Sequence, residues 1–170
     1  MKYHHFIFLV FALALTACKP DPPTSAYELL DHTDFVASPV APDLNSNNVS
    51  LLLSAFWVAE HWVDHADAAN SKKNKGRWWR FSKDGTFITG IWEETLSQGV
   101  WVIYFDQEKV LLHLDADSAP LNMEFELQQI AQSGEYMSWV GTPTYKMNRI
   151  AVKAISLMTM PTKRQFGIEE

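Results

Sequence analysis

The segment from Leu121 to Gln128 constrains the fold most strongly, because apolar and polar residues alternate through all of it. One set is Leu121, Met123, Phe125 and Leu127, and the other is Asn122, Glu124, Glu126 and Gln128. Successive side chains of a β-strand point to opposite faces, so this spacing predicts a strand with one face in a core and the other in water. We therefore expect Glu124 and Glu126 to be solvated carboxylates with ordinary pKa values.

Short strand-like segments separated by turn signals occupy residues 51 to 158. Beyond an ambiguous first segment, 51–65, which fits either a strand or a helix, they are residues 77–81, 86–93, 99–105, 109–114, 121–129, 136–140 and 146–157. Asp84-Gly85 is typical of a hairpin, since such turns need a residue that tolerates positive φ. The pattern predicts an all-β fold, an up-and-down antiparallel β-barrel of seven to eight strands, whose closure removes exposed sheet edges.

Residues 1–17 have the features of a cleaved export signal. Lys2 precedes the apolar run 6–15, which at about 1.5 Å per residue is too short to span a hydrocarbon core of roughly 30 Å. The run ends in Leu15-Thr16-Ala17-Cys18, which resembles the lipobox of bacterial lipoproteins. That resemblance implies cleavage before Cys18 and lipidation of its thiol, hence a membrane anchor. The alternative is an ordinary secretory signal with a chance cysteine.

The residue after the cysteine bears on location. It is Lys19, not the aspartate that retains proteobacterial lipoproteins at the inner membrane, so the resemblance implies a cell-envelope protein of the outer membrane. Residues 18–50 then form the lipidated N-terminus and a flexible linker, rich in proline near its start. Residues 51–158 form the barrel domain, and residues 159–170 form a C-terminal tail.

Charge excludes one class of partner. The net charge of −6 argues against nucleic acid, because phosphate contact needs clustered lysine and arginine. The one basic cluster, residues 72–77, is predicted to be a solvated loop, with a phosphate or lipid-headgroup role as the alternative. Cys18 is the single cysteine, so no internal disulfide can form and packing must hold the domain together.

Two groups of residues have the composition of metal sites. His61 and His65 could share an ion on a helix, but on a strand they lie about 13 Å apart, too far for one zinc ion. His113, Asp115 and Asp117 alternate along a strand, and the later ligands of a calcium loop are missing, so they are predicted to form a polar outer face. We expect no metal and no other cofactor.

Catalytic signatures are missing as well. Glu93 and Glu94 are neighbours that would point to opposite sides of a strand, so they cannot cooperate as acid and base. The chain has no Gly-x-Ser-x-Gly elbow, no glycine-rich phosphate loop and no cysteine other than Cys18. We expect no catalytic residues, and therefore no enzyme.

Several runs of residues, taken in order, resemble one family. They are Leu52-Leu53-Ser54-Ala55-Phe56-Trp57, then Phe81-Ser82-Lys83-Asp84-Gly85-Thr86-Phe87, then Gly99-Val100-Trp101, Leu111-Leu112-His113-Leu114 and Gly134-Glu135-Tyr136-Met137-Ser138-Trp139. This order resembles the small bacterial lipocalin-like domains, many of which are carried on lipoproteins, and it covers residues 51–158. Ala55 departs from the pattern, which has glycine there. The resemblance implies an up-and-down barrel with an apolar interior, and for most members no established ligand.

Seven tryptophans leave two functions open. In the first, an aromatic-lined cavity binds a small hydrophobic molecule, with Trp57, Phe87, Trp101, Met123 and Phe125 as the ligand-binding residues. In the second, aromatic side chains fill the barrel, and the domain is a protein interaction module of the envelope whose partner is unknown. Trp78 and Trp79 cannot both face inward, so at least one is expected on the outside.

Overall fold

The computed structural model describes residues 39–131 and 133–168. The predicted signal peptide, Cys18 and most of the predicted linker therefore lie outside the described residues.

Eight antiparallel strands form a closed barrel, in which each strand pairs with the next and the last pairs with the first. The strands are β1 Phe56–Asp64, β2 Arg77–Phe81, β3 Thr86–Ile91, β4 Glu94–Asp106, β5 Lys109–Ala116, β6 Met123–Ile130, β7 Tyr136–Gly141 and β8 Ile150–Leu157. Two α-helices accompany them, α1 Asn47–Ser54 before β1 and α2 Ala68–Asn74 between β1 and β2. The predicted all-β, up-and-down barrel is confirmed, with eight strands.

The predicted hairpin at Asp84-Gly85 joins β2 to β3, and Phe81 pairs with Phe87 across it. Gly85 has a φ of +84°, and a side chain there would collide with the backbone of Val40. Glycine is therefore required by both the turn and the segment packed against it.

The ambiguous segment 51–65 contains both kinds of structure. Helix α1 ends at Ser54, and the extended Ala55 leads into β1. The helix begins at Asn47, before the predicted domain start at residue 51, and its Val49 and Leu52 are buried in the core. Helix α1 thus lies at the end of the barrel where β1 begins and β2 ends, which we call the α1 end.

Aromatic side chains fill the barrel interior. Trp79 lies at the centre, with its ring centroid 5.0 Å from that of Trp139 and 6.1 Å from that of Phe125. Nearer the α1 end, the ring of Phe81 lies 5.1 Å from Trp101. Offset and edge-to-face pairs at these distances stabilise a core beyond the area that they bury. The alternation in β6 is confirmed on its apolar side, since Met123, Phe125 and Leu127 all join this core.

Trp78 lies on the opposite face of β2 from Trp79, as the alternation requires. It is buried against Phe56 on the outside of the barrel, and its Nε1 donates to Trp92 O at 2.7 Å. The expectation that one of the two tryptophans lies outside is therefore met.

The opposite end of the barrel carries the longer connections. They are helix α2, a 3-10 helix at Ala119–Leu121, and the segment between β7 and β8, which contains a 3-10 helix at Thr144–Lys146. We call this the loop end. Part of the C-terminal tail packs beside the β3–β4 turn, where Phe166 lies 5.3 Å from the Trp92 ring. Within residues 39–131 and 133–168, no helix combines the length and apolar character needed to cross a membrane.

Candidate ligand-binding site

A cavity of about 320 Å³ lies at the loop end of the barrel. Its lining residues come from three connections and the strands beside them: Trp62, Asp64, Asn70, Lys73, Asn74, Arg77, Pro120, Leu121, Asn122, Met123, Tyr145, Lys146, Met147, Arg149 and Ile150. Trp62 belongs to the aromatic core as well, stacked on Trp79 with 6.4 Å between ring centroids. The cavity therefore begins where the packed interior ends.

Arg77 is the basic residue buried most deeply in this cavity, with only 5% of its surface exposed. It begins strand β2, and because side chains alternate along a strand, it shares the inward face with Trp79 and Phe81. The prediction of a solvated loop for residues 72–77 is therefore wrong for Arg77, whereas Lys72, Lys73 and Lys75 are exposed as predicted. Residues 72–74 end helix α2, and Arg77 points into the barrel. The signal was in the sequence, as Arg77-x-Trp79-x-Phe81 has the period of a strand.

Gly76 brings the chain from α2 into β2 just before Arg77. Its φ is +76°, and a side chain at this position would collide with the ring of Trp92. Its backbone is fixed on both sides, since Gly76 N donates to Ala59 O and Gly76 O accepts from Trp92 N. The starting point of the Arg77 side chain is set by these contacts.

A chain of hydrogen bonds along one face of α2 orients the Arg77 guanidinium. Arg77 Nε donates to Asn74 Oδ1 at 2.7 Å, and Asn74 Nδ2 donates to Asn70 Oδ1 at 2.7 Å. Asn70 Nδ2 in turn donates to Asp64 Oδ2 at 2.7 Å, a bond that lowers the pKa of Asp64. Asn70 and Asn74 are four apart and so share a helix face. The guanidinium is thereby held in place without being paired directly with a carboxylate.

Two buried donors in the lining of this cavity lack acceptors. Arg77 Nη1 and Trp62 Nε1 have no hydrogen-bond partner among the residues that the structure describes. An unsatisfied buried donor costs about 1–3 kcal/mol, and more when it is charged. Burial lowers the pKa of Arg77 to about 10, so the side chain remains cationic at neutral pH.

The predicted ligand-binding residues do not surround one cavity. Met123 lines the loop-end cavity, whereas Trp57 and Phe125 lie in the packed aromatic core. Phe87 and Trp101 are buried near the α1 end, where Trp101 Nε1 donates to Ser82 O at 3.1 Å. All five thus belong to the core, and Met123 also lines the loop-end cavity.

The polar face of β5 and β6 departs from the predicted solvated outer face. His113 and Glu124 are opposite each other in the register and almost fully buried on the outside of the barrel. The segment from Thr142 to Lys146 covers them, as Thr142 Oγ1 donates to Glu124 Oε1 at 2.6 Å and Tyr145 OH lies 3.3 Å from His113 Nε2. The prediction that Glu124 is solvated is therefore wrong. Glu126 is partly exposed beside Lys109, but its predicted ordinary pKa is also wrong, because hydrogen bonds from Gln128 and Lys109 lower the pKa.

The surroundings of Glu124 also correct its predicted pKa. Burial alone would raise the pKa, but hydrogen bonds from His113, Thr142, Thr144 and Tyr104 outweigh it and lower the pKa of Glu124 to about 2. A lowered pKa of this kind keeps a buried carboxylate ionised and stabilises the folded state near neutral pH.

The remaining metal candidates are separated by the structure. His61 lies on β1 with an exposed side chain, and His65 follows the end of that strand. Asp115, predicted on a solvated face, is buried and accepts from Asn122 Nδ2 at 3.1 Å, whereas the exposed Asp117 accepts from Ser97 Oγ. In the described part of the chain, no three histidine, cysteine or acidic residues are grouped so as to hold a metal ion.

Comparison with known protein families, with curated proteins and with solved structures finds no match for this chain. The candidate site is therefore argued from its own geometry.

Proposed function

We propose that this protein is a lipocalin-like barrel of the bacterial cell envelope, anchored to the outer membrane by lipid on Cys18, that binds a small molecule at its loop end. The role is binding rather than catalysis, since the cavity contains no nucleophile beside a general base among its lining residues.

The cavity of about 320 Å³ is the observation that carries this proposal. Pockets for small molecules measure roughly 300–1,000 Å³, and the mouth of a β-barrel is a common place for them. The lining combines apolar side chains such as Met123 and Ile150 with a few fixed polar groups, the mixture by which such pockets bind and orient a ligand.

The packed interior limits the size of the ligand. Trp62 bounds the cavity on the side of the core, and Trp79 and Phe125 fill the space behind it at centroid distances of 6.4 and 6.2 Å from Trp62. A ligand that fits is small and lies above the aromatic core, which replaces the sequence-based expectation of a ligand among Trp57, Phe87, Trp101 and Phe125.

Calorimetric titration of the purified full-length protein with a panel of small neutral and charged compounds tests the binding role. Leu121 lines the cavity and is only partly buried, so Leu121→Trp places a large ring in it. We expect saturable binding that this variant abolishes. Ile88→Trp, on the exposed outside of β3, is the matched control and is expected to bind normally. Binding that survives Leu121→Trp would contradict this location.

The anchor is tested separately. We expect the protein isolated from its cells to begin at Cys18 and to carry acyl chains, which mass spectrometry of the N-terminal peptide detects. Several acyl chains make membrane attachment effectively permanent, at about 0.8 kcal/mol for each buried CH₂. Cys18→Ser is expected to release the protein from the membrane fraction. A wild-type N-terminal peptide without lipid would contradict the anchor.

A second function, a protein interaction module, is favoured by a different surface. Phe105 is 65% exposed beside a groove of about 200 Å³ that is also lined by Val40, Pro42 and Ile103. Exposed apolar patches often mark interaction sites. Crosslinking in cells that captures one reproducible partner with the wild type and not with Phe105→Glu would support this function over ligand binding.

A further inference from the structure

We propose that the ligand of the loop-end cavity is a small organic anion, whose acidic group accepts hydrogen bonds from Arg77 Nη1 and Trp62 Nε1. This inference rests on the proposed binding function and names the chemical class of its ligand.

The two donors carry the argument because both are buried and both belong to residues that line the same cavity. Arg77 is 5% exposed and Trp62 is 6% exposed, and neither unpartnered nitrogen has an acceptor among the described residues. Nearly all buried donors in native proteins have a hydrogen-bond partner. Two unpartnered donors on residues beside one cavity therefore indicate that an acceptor from outside the chain binds there. Trp139 Nε1 also has no partner among the described residues, but Trp139 does not line this cavity.

The charge of Arg77 requires an anion rather than a neutral acceptor. Within the described ranges, the structure shows no ion pair between the Arg77 guanidinium and a carboxylate. Asp64, which ends the hydrogen-bond chain along α2, pairs instead with Arg149 at 3.1 Å. A buried charge without a partner is strongly unfavourable, and pairing with an anion relieves that cost. Such a charge-assisted hydrogen bond is about twice as strong as a neutral one.

The exposed charged residues at the rim of the cavity are positive, as Arg77 is. Lys73, Lys146 and Arg149 are exposed lining residues, so with Arg77 the lining has four basic side chains against one acidic side chain, Asp64. This concentration of positive charge occurs in a chain whose net charge is −6. A cavity lined mainly by one sign of charge raises the local concentration of ligands of the opposite sign.

The size of the cavity and the packed core behind it restrict the anion to a short one. With its acidic group at Arg77, the body of the ligand would contact Met123, Met147 and Tyr145. A long acyl chain would have to displace Trp79 and Phe125 or project into water. Short carboxylates with a compact apolar body fit these limits, whereas long-chain fatty acids do not.

Calorimetric titration of the full-length protein with acids and their matched amides tests the inference. The pairs are benzoate with benzamide and hexanoate with hexanamide, compounds of nearly equal shape that differ in charge, together with palmitate and inorganic phosphate. We expect at least one short acid to bind at millimolar concentrations or below, and at least about tenfold more tightly than its amide.

Two variants assign the effect to the donors. Arg77→Gln removes the charge and is expected to weaken binding of the acid by about tenfold to a hundredfold. Trp62→Phe keeps a ring in the core and removes only the indole N–H, so a smaller loss is expected. Lys109→Gln, which removes an exposed positive charge at the α1 end, is the control and is expected to bind as the wild type does.

The contradicting results separate this inference from the proposed function. Equal binding of acid and amide, unchanged by Arg77→Gln but blocked by Leu121→Trp, would overturn the anion and leave the binding role standing. Failure of every short acid to bind, or tighter binding of inorganic phosphate or palmitate than of the short acids, would also overturn it.

Discussion

Two arginines on strand β2, three residues apart, are held in opposite ways at the two ends of the barrel. Arg80, toward the α1 end, donates through Nη1 to Leu53 O at 2.8 Å and to Ala55 O at 3.0 Å, and its guanidinium lies over the Phe56 ring. Arg77, at the loop end, is more deeply buried, yet its Nη1 has no acceptor in the described part of the protein. This difference is what the proposed binding role of the loop end predicts, since the α1 end is closed by hydrogen bonds within the chain.

The indole groups repeat this contrast. Toward the α1 end, Trp57 Nε1 donates to Leu52 O at 3.2 Å and Trp101 Nε1 donates to Ser82 O at 3.1 Å. At the loop end, Trp62 Nε1 lacks an acceptor among the residues described. Buried donors are normally satisfied within the chain, and Trp139 Nε1 in the aromatic core is an exception among the described residues. Donors that serve binding are instead expected to be satisfied by the ligand.

The largest loss of stability is expected on truncation of Trp79, because we expect the packed interior, rather than the loop end, to hold the fold together. Trp79→Ala removes a ring that packs against Trp139, Phe125 and Trp62, and we expect a loss of about 3–5 kcal/mol in the free energy of unfolding. Denaturant unfolding measures it. Val63→Ala, at an exposed position on β1, is the control, expected to change stability by less than about 0.5 kcal/mol. A free energy of unfolding of Trp79→Ala close to that of the wild type would contradict the claim that the packed interior holds the fold together.

The next largest loss of stability is expected at Glu124, which is buried on the outside of the barrel and does not line the loop-end cavity. Because hydrogen bonding holds the pKa of Glu124 at about 2, below the ordinary 4.5, its carboxylate stabilises the fold above pH 4.5. That contribution, of the order of 3 kcal/mol, is lost as the pH falls from about 4.5 toward about 2. Glu124→Gln is expected to lower stability at pH 7 and to flatten this acid dependence, as unfolding at a series of pH values would record.

Glu126→Gln is the matched control for that experiment. Glu126 lies on the same face of β6 but pairs with Lys109 near the surface, where an ion pair contributes less than about 1 kcal/mol. Equal effects of the two substitutions would mean that the cover over Glu124 does not exclude water.

A smaller effect is expected at Arg80. Arg80→Met removes the donor to two backbone carbonyls between α1 and β1, and we expect a loss of about 1–3 kcal/mol in the free energy of unfolding. Unchanged stability would show that water replaces the guanidinium and that the α1 end is less closed than its hydrogen bonds indicate.

The smallest effect on stability is expected at Arg77, although it is the more buried arginine. Arg77→Met replaces a buried charge that has no carboxylate partner among the described residues with an apolar chain of similar length, and relief of that charge offsets the loss of the hydrogen bond to Asn74 Oδ1. We expect the free energy of unfolding without ligand to fall by less than about 1 kcal/mol, or to rise. A loss as large as that of Arg80→Met would show that Arg77 has a structural role.

Local sequence patterns predicted the barrel well. The alternation from Leu121 to Gln128 identified the inward residues of β6, and Asp84-Gly85 identified the β2–β3 hairpin, because both depend on neighbours in the chain. The same reasoning failed for Glu124 and His113, since the alternation says which face a residue occupies and not what covers that face. Here the cover comes from residues 142–146, distant in sequence.

The candidate site was missed for a different reason. Arg77 was grouped with the lysines before it by charge, whereas its spacing from Trp79 and Phe81 placed it on the inward face of β2. The aromatic residues were identified as core or cavity, but only the register of eight strands decides how completely they fill the interior. Their packing is the reason why we propose a site at the loop end and not in the middle of the barrel.

A single spectrum compares the two ends directly. The indole N–H groups of the tryptophans and the Arg77 Nε–H give separate signals in a ¹H–¹⁵N correlation spectrum, and addition of the short acid that binds most tightly reports where it lies. The account predicts that the Trp62 and Arg77 signals shift, whereas those of Trp57 and Trp101 stay in place. Shifts at Trp57 and Trp101 without a change at Trp62 and Arg77 would contradict it.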